Sequence, residues 1–498
     1  MKDEESSIEK ATVYTASPMS SIAPLPELES SEDPRNWSLS HKIYANVIYN
    51  MITLLATYTS GVYSPGIKPM RKDFPVSMPV AQLGTSLYMF GLAIGALLWG
   101  PLSQTLGRRP VFLMSLIGMT LFNLGVCLSP SMASLLVCRT FAGAMSSAVF
   151  VNVAGSIVDM TIEHDRIPYN SMFRFVTFLG PPLAAILGTV AVRDASWRWN
   201  LRSIPIYAFV CLVIYAFTMP ETYVPILIQH KIEREKEEME ERIEHHNWAY
   251  RMAHRIQHRL PSKSLLLLLW KRTIESLPLP WILLFEEPLV IIVCFYTSLL
   301  YGLLYGSLLF FPKVWGEVRG YSSVQVAYTY FAVIIGFVLS TIIVGFTIQN
   351  VRYKRAYDAG KHTPELRIRL GYFALFFVPI GLFIFGWTAP FIHVHWIAPC
   401  IGVVCFAFGM LAVFNSWMAY LTDTYSNNTA AVIAINTFCR SALAGAFPLF
   451  ITPMMSAMTF QGAMSLFGGV SIPLTAIGIV FAFHGKRIRE KSKHAVYG

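Results

Sequence analysis

Charge is what this sequence has least of. Only 14% of its 498 residues are Asp, Glu, Lys or Arg, whereas soluble domains carry about 25% charged residues. The 39 basic and 29 acidic residues cluster in a few segments, so they cannot solubilise the surfaces of several separate domains. Apolar residues make up 54% of the chain, and its mean hydropathy is +0.50. This composition excludes soluble enzymes, disordered chains and disulfide scaffolds, and it predicts a polytopic membrane protein.

Signatures of metal and cofactor chemistry are also missing. The seven cysteines form no CxxC pair and stand in apolar stretches without a histidine cluster, which is typical of free thiols that pack as small apolar residues. The apolar segments contain no HExxH, GxSxG or P-loop motif. We therefore expect no enzyme activity, no metal and no cofactor. The net charge of +10 lies mainly beside apolar segments, which favours membrane topology over nucleic-acid binding.

Twelve apolar segments are long enough to cross a bilayer. Crossing takes about 20 residues in a helix, because each backbone polar group must be hydrogen-bonded within the segment. A polar insert separates the first six segments from the last six, and its charge-dense core at 231–258 is expected to be a solvated helix. The predicted spans are 43–65, 81–102, 110–129, 132–158, 169–191, 202–219, 286–311, 324–348, 369–389, 394–420, 430–453 and 462–483.

The expected fold is an all-α membrane protein with two six-helix bundles. The expected domains are a disordered cytoplasmic N-terminus (1–42), the first bundle (43–219), a cytoplasmic central loop (220–285), the second bundle (286–484) and a cytoplasmic tail (485–498). The orientation comes from the basic residues, because Lys and Arg are retained in cytoplasmic loops. Of the 39, 28 lie on the side of the two termini and eight on the other side.

The two halves carry the same ordered set of polar residues. Each half has an aspartate where its fourth helix ends, an arginine in its fifth helix and a proline after that arginine. This order favours two related bundles around a central path. The residues are Asp159, Arg174 and Pro181 in the first half and Asp423, Arg440 and Pro448 in the second, at offsets of 264, 266 and 267.

Several motifs resemble those of one transporter family. Residues 100–110 (GPLSQTLGRRP) are similar to the helix 2–3 loop signature of the major facilitator superfamily. Arg139 with Gly143 is similar to its helix 4 motif, and Gly180-Pro181 to its antiporter motif. Matches at 33–37 (DPRNW), 220–225 (PETYVP) and 364–367 (PELR) narrow the resemblance to the fungal twelve-helix drug:proton antiporters, which include polyamine exporters.

The resemblance implies proton-driven export of drugs, polyamines or other organic cations by alternating access. Expected partners are therefore the lipid bilayer, protons and a small organic cation or drug, and we expect a monomer in the plasma membrane or, alternatively, the vacuolar membrane. A proton symporter or facilitator that imports a nutrient is the first alternative. A sensor that no longer transports is the second, because Gln104 stands where the loop motif normally carries an acid.

The loop motif predicts a cytoplasmic gate. Gly107 permits a tight turn, and the two arginines after it can hold the C-terminal carbonyls of a neighbouring helix or set topology only. Asp159 is the expected partner of these arginines, and Gly180-Pro181 is expected to kink helix 5. The gate residues are Gly100, Gly107, Arg108, Arg109 and Asp159.

A second group is expected on the proton or substrate path. An arginine inside a span is costly, so Arg139, Arg174 and Arg440 should each hold a carboxylate or backbone carbonyls inside the bundle, or reach toward the surface. Glu287 and Asp423 are the candidate proton carriers, and contacts at helix ends are the alternative for both. Candidate substrate contacts are polar or aromatic residues, since aromatic faces suit cations. They are Tyr58, Tyr63, Tyr301, Tyr305, Asn415 and Asn436.

The orientation can be tested through two glycosylation sequons. Asn36 and Asn427 each begin an Asn-X-Ser/Thr sequence, and both fall on the predicted cytoplasmic side. We expect neither to be glycosylated in a yeast secretory membrane, so glycosidase treatment should leave the electrophoretic mobility unchanged. A sequon-bearing peptide inserted between residues 391 and 394 is the glycosylated control. Modification of Asn36 or Asn427 would reverse the orientation.

Overall fold

The computed structural model describes residues 29–30, 32–243, 277–360, 363–490 and 492–494. Throughout these ranges the regular elements are helices, so the predicted all-α class is confirmed. The first bundle has six long helices in chain order. They are α1 (Leu39–Gly61), α2 (Met78–Leu106), α3 (Arg108–Leu128), α4 (Met132–Met160), α5 (Arg166–Asp194) and α6 (Trp197–Thr218).

The second bundle has six more long helices, several of them with irregular turns. α7 is Pro288–Phe311 and continues as a wider π-helical turn to Val318. α8 runs over Ser323–Asp358 and α9 over Glu365–Thr388, and α10 is Ile397–Thr424. The last two share one continuous helical stretch, Thr429–Arg489, which is broken at Thr459 by a left-handed backbone angle (φ 64°). We call its two parts α11 (429–458) and α12 (460–489).

The helices extend a few residues beyond most of the predicted apolar spans. In the described part of the chain, ten helical stretches, with Thr429–Arg489 counted as one, are long and apolar enough to cross a membrane. α1 is more polar than these because it carries Asn46, Asn50 and a series of threonines. Side chains cap several starts, for example Ser131 at α4 and Ser196 at α6, each of which accepts a backbone N–H of the first turn.

Two further helices lie in the segment predicted as the central loop, and the first of them begins before the helix expected at 231–258. Val224–Ile243 follows α6, and Pro278–Glu286 precedes α7. The second helix packs against the bundle, where the ring centres of Trp281 and Phe438 lie 5.0 Å apart. Lys231 also forms an ion pair with Glu32, at 3.2 Å. The remainder of the predicted central loop (244–276) and residues 1–28 lie outside the described part of the chain, as do 495–498 of the predicted tail.

Large apolar side chains cover the outer faces of both bundles. In water such extended apolar surface would drive association, whereas in hydrocarbon it is the expected lipid-facing surface. The exposed fractions are 44% or more for Ile94, Leu121, Phe209, Phe331, Ile335, Ile401 and Phe483. The chain is therefore a multi-pass membrane protein.

The two ends of the bundle differ in the number of basic residues that they carry. We call the end with Arg108, Arg166 and Arg367 the basic end, and the opposite end, with Asp73 and Arg319, the far end. Toward the far end the halves contact each other directly, because Ser60 Oγ of α1 lies 2.6 Å from Tyr305 Oη of α7. α2 and α11 also pack together, and α5 packs on α8. The space between the halves therefore lies nearer the basic end.

Close packing of α2 on α4 depends on Gly143. A Cβ added there would lie 2.0 Å from the carbonyl oxygen of Tyr88, which is backbone and cannot turn aside. We expect Gly143→Ala to destabilise the protein by about 1–3 kcal/mol through overpacking. Thermal unfolding in detergent, followed by size-exclusion chromatography, measures this loss. Gly469→Ala is the control, because nothing lies within 4 Å of its Cβ position. Equal melting temperatures for both variants would contradict the packing.

Candidate functional site

A cavity of about 370 Å³ lies between the two bundles and reaches from the basic end to the middle. Helices α4 and α5 of the first half and α10 and α11 of the second supply most of its wall. Among the described residues, its charged lining consists of five arginines and two aspartates. They are Arg108, Arg166, Arg174, Arg367, Arg440, Asp159 and Asp423.

The first half holds an ion pair at the basic end. Arg108 Nε lies 3.1 Å from Asp159 Oδ2, and Arg108 Nη1 donates to Ser103 Oγ at 2.8 Å. The guanidinium also stands 4.9 Å from the ring centre of Tyr223. Burial raises the pKa of that tyrosine, which lies between the spans. The predicted partners Arg108 and Asp159 are thus in contact.

The second residue of the predicted gate binds a helix end. Arg109 Nη2 donates to the carbonyl of Ala216, in the last turn of α6, at 3.0 Å. A cation at this position also favours the negative end of the helix dipole. Gly107, which precedes these arginines, has φ 94°, and a Cβ there would lie 2.6 Å from Glu221 Oε2. Both the turn and the close approach require glycine.

Glu221 belongs to the contacts of the predicted gate, although it was not among the predicted site residues. Its Oε1 accepts the backbone N–H of Arg108 and its Oε2 that of Arg109, both at 2.9 Å. The carboxylate therefore satisfies unpaired donors at the start of α3, where the helix dipole also favours negative charge. The signal was present, because Glu221 belongs to the segment 220–225 that carried part of the family resemblance.

The second half repeats the ion pair. Arg367 Nε lies 2.9 Å from Asp423 Oδ2, and the guanidinium stands 3.5 Å from the ring centre of Tyr353. Arg367 precedes its aspartate by 56 residues, and Arg108 precedes Asp159 by 51. Asp423 was a predicted site residue, whereas its partner Arg367 was not. The similar spacing in the two halves was the available signal.

Arg139 holds backbone rather than lining the cavity. It is fully buried in α4, with Nε donating to the Gly84 carbonyl at 3.0 Å and Nη1 to the Thr59 carbonyl at 3.1 Å. Its guanidinium lies 4.8 Å from the ring centres of both Tyr63 and Tyr88. These contacts correspond to the structural alternative for Arg139, and its place on a proton path stays a prediction.

Arg174 and Arg440 do line the cavity. Arg174 is buried and donates from Nη1 to the Asn415 carbonyl of α10 at 3.1 Å, across the two halves. Because Arg174 is buried, its guanidinium does not extend to the bilayer surface. The predicted alternative, in which the side chain reaches that surface, does not apply. Arg440 stands among the rings of Tyr301, Phe150 and Phe414, with 4.9–5.3 Å between the guanidinium carbon and the ring centres.

Glu287 lies away from the cavity. It is 1% exposed, and its Oε2 accepts the Tyr425 hydroxyl at 2.9 Å. Its Oε1 accepts the backbone N–H groups of Lys493 and His494, both at 3.1 Å. Burial raises the pKa of the Tyr425 phenol above its ordinary value. The contacts of Glu287 match the predicted alternative of a contact at a helix end. Of the two predicted proton carriers, only Asp423 therefore faces the cavity.

The predicted substrate contacts divide into three groups. Asn436 lines the cavity and donates to Thr297 at 2.8 Å. The Tyr301 ring lies 4.9 Å from the guanidinium carbon of Arg440, which lines the cavity. Tyr305 joins the two halves through Ser60. The others do not line the cavity: Tyr63 donates to the Ala81 carbonyl, Tyr58 is half-buried in α1, and the Asn415 side chain is buried in α10 without a partner in the described structure.

The two predicted glycine motifs lie at helix contacts. A Cβ on Gly180 would lie 2.1 Å from Thr57 Oγ1, so this glycine allows α5 to approach α1. α5 continues as one helix through Pro181 and Pro182 to Asp194. Gly100 faces α4 and α11, with Val151 and Ala434 nearest to its Cβ position.

Two six-helix bundles around a charged central cavity define a membrane transporter. Comparison with known proteins agrees with this class. Residues 50–449 match the sequence profile of the Major Facilitator Superfamily, and the chain belongs to that superfamily. It is a transporter rather than an enzyme, because its curated relatives are efflux pumps and antiporters.

Three fungal relatives illustrate the similarity. The chain is 33% identical to "Efflux pump FUBT" of Fusarium oxysporum over 91% of this chain and 74% of that protein. It is 31% identical to "Multidrug transporter TPO1_1" of Candida glabrata, over 93% and 79%. It is also 31% identical to "Probable drug/proton antiporter YHK8" of Saccharomyces cerevisiae, over 93% and 87%. The resemblance to fungal drug:proton antiporters is thereby confirmed.

Solved structures support the fold. The proton:xylose symporter XylE, bound to 6-bromo-6-deoxy-D-glucose, superposes with a TM-score of 0.64 at 17% identity, covering 90% of this chain and 97% of that one. XylE from E. coli in a partially occluded inward-open conformation gives 0.60 at 16% identity, covering 89% and 98%. The two-bundle architecture predicted from sequence is therefore that of the superfamily.

The second-half ion pair can be tested by its effect on stability. We expect Asp423→Asn to lower the free energy of unfolding by about 3 kcal/mol, because it leaves the buried guanidinium of Arg367 without its carboxylate. Asp194→Asn is the control, since Asp194 and its partner Arg193 are each 55% exposed, and should cost about 0.5 kcal/mol or less. Thermal unfolding in detergent measures both. Adding Arg367→Gln to Asp423→Asn should cost less than Arg367→Gln alone, and strict additivity would contradict the pairing.

Proposed function

We propose that this chain exports drug-like organic compounds in exchange for protons by alternating access. The single observation that carries the proposal is the central cavity, which lies between two bundles and holds an aspartate of each half at one end. The antiporter and efflux relatives support the direction and the coupling. Such a path needs a group inside it that gains and loses charge, and Asp159 and Asp423 are the acids in the described lining.

The two ion pairs supply a physical route to coupling. While Asp159 and Asp423 are ionised, each neutralises a buried arginine at the basic end. Protonation of either aspartate removes that neutralisation and favours an arrangement in which the arginine finds other acceptors or water. Proton binding thus changes the relative stability of the two orientations of the bundles, which is what coupling by alternating access requires.

The same proposal covers the chemical class of the exported compound and the membrane in which the protein lies. Aromatic rings around the cavity, Phe150 and Phe414 among them, favour an amphipathic compound. Export of cations or polyamines follows from the family resemblance, but five arginines against two aspartates oppose a cationic cargo. We also propose a monomer with both termini in the cytoplasm, in the plasma membrane as efflux demands, with the vacuolar membrane as the alternative.

Flux measurements test the proposal. Vesicles are prepared with the purified protein in the membrane and a pH-sensitive dye inside. When an exported compound is added and crosses the membrane, protons should leave the side that receives the compound. Acid on the extracellular-equivalent side should speed movement of the compound toward that side. Asp159→Asn or Asp423→Asn should slow this driven flux by about tenfold or more, since each removes a titrating group. Glu317→Gln, at an exposed acid of the far end, is the control.

Three outcomes separate the possibilities. Movement of compound and protons in the same direction would indicate a symporter, and movement without protons a facilitator. If expression in yeast changes tolerance to no member of a panel of unrelated drugs and spermidine, and no compound moves in vesicles, the export proposal is wrong. Monodisperse elution of each variant is required before its flux is compared.

A further inference from the structure

The cavity carries arginines that form no ion pair with a carboxylate of the described structure. Of its five arginines, Arg108 and Arg367 are paired with the two aspartates of the lining, at 3.1 and 2.9 Å. Arg166 at the basic end, and Arg174 and Arg440 deeper in the cavity, have no carboxylate within ion-pair distance among the described residues. Unpaired charge inside a span is costly, so it marks a functional site by default.

Arg440 shows most clearly a buried guanidinium without a hydrogen-bond acceptor in the described structure. It is 4% exposed, and its Nε and Nη1 have no hydrogen-bond partner in the described structure. Three aromatic rings surround the guanidinium, and these contacts offset part of the cost of burying the charge. Rings accept no conventional hydrogen bond, however, so Nε and Nη1 of this cavity-lining arginine stay buried without an acceptor in the described structure. An arginine fork with free donors is suited to a carboxylate or a similar oxyanion.

Arg174 lines the same cavity from the opposite half. Its one hydrogen bond given by the structure goes to the Asn415 carbonyl, which satisfies a donor without neutralising the charge. The lining also contains Phe173, Phe414 and Ile433, and the Phe414 ring stands 5.3 Å from the guanidinium carbon of Arg440. A volume of about 370 Å³ falls within the range of sites for drug-sized ligands.

We propose that the cargo of this cavity is an organic anion, with a carboxylate or related oxyanion on an aromatic or aliphatic body. The anionic group pairs with Arg440 and Arg174, and the body packs against the rings. An organic cation in the same place would bring a third positive charge to two unpaired ones. The inference rests on the proposed export function and specifies the substrate class of that site.

Three compounds with one ring system test the charge preference. Binding of 1-naphthoate, 1-naphthamide and 1-naphthylmethylammonium to the full-length protein in lipid nanodiscs is measured by isothermal titration. We expect naphthoate to bind about tenfold or more tightly than either of the others, as a charge-assisted hydrogen bond to arginine would give. Equal or tighter binding of the ammonium compound overturns the inference without any variant.

Variants then locate the site. Arg440→Gln should abolish the preference for naphthoate over naphthamide, Arg440→Lys should retain a reduced preference, and Arg174→Gln should weaken it. Arg355→Gln is the matched control, because it removes one arginine from an exposed position at the same end and should leave the preference unchanged. A preference that survives both Arg440→Gln and Arg174→Gln would place the anion elsewhere and overturn the inference.

A flux arm distinguishes this inference from the proposed function. If pH-driven export carries naphthylmethylammonium but not naphthoate, export stands and the anion inference is wrong. If naphthoate binds with the expected preference but no compound moves under a pH gradient, the anion site stands and the export function is wrong.

Discussion

Charge buried in an apolar bundle is the constraint on which this structure depends. Inside the bilayer a guanidinium has no water to accept its hydrogen bonds, so protein groups must supply the acceptors. Arg139 shows the result, because its two carbonyl acceptors belong to α2 and α1 while the arginine itself stands on α4. One side chain therefore fixes three helices of the first half relative to one another, toward the far end.

At the basic end, each half neutralises a buried arginine in the same way. In each half an arginine that follows the second helix of its bundle pairs with an aspartate of the fourth, and a ring stands against the guanidinium. A second arginine in each half donates to a carbonyl late in the sixth helix, Arg109 to Ala216 and Arg369 to Ala482. The repetition shows that the halves share an architecture at the level of individual contacts. It also places the only two acids of the described lining at equivalent positions, one in each bundle.

Much of the fold could be predicted from the sequence, because long apolar runs in lipid have few structural options. The helices and their division into six and six follow from these runs, and the loop motif with its spacing pointed to the contact of Arg108 with Asp159. Contacts that depend on tertiary packing could not be predicted from the sequence. Whether Glu287 faces a cavity or the C-terminal tail depends on how α7 is rotated, which an acid at a helix start does not reveal. The charge of the cavity depends on which acids are already paired, and Arg367 lay in a segment that reads as loop.

Glu221 has a consequence for the evolution of the chain. Besides α3, its carboxylate accepts the backbone N–H groups of Thr222 and Tyr223, so it fixes the first residues after α6. On the other side of the insert, Pro278–Glu286 is held against the bundle by Trp281. Each anchor is formed by contacts of described residues on its own side of the insert, so a change of length or sequence between the two anchors removes none of these contacts.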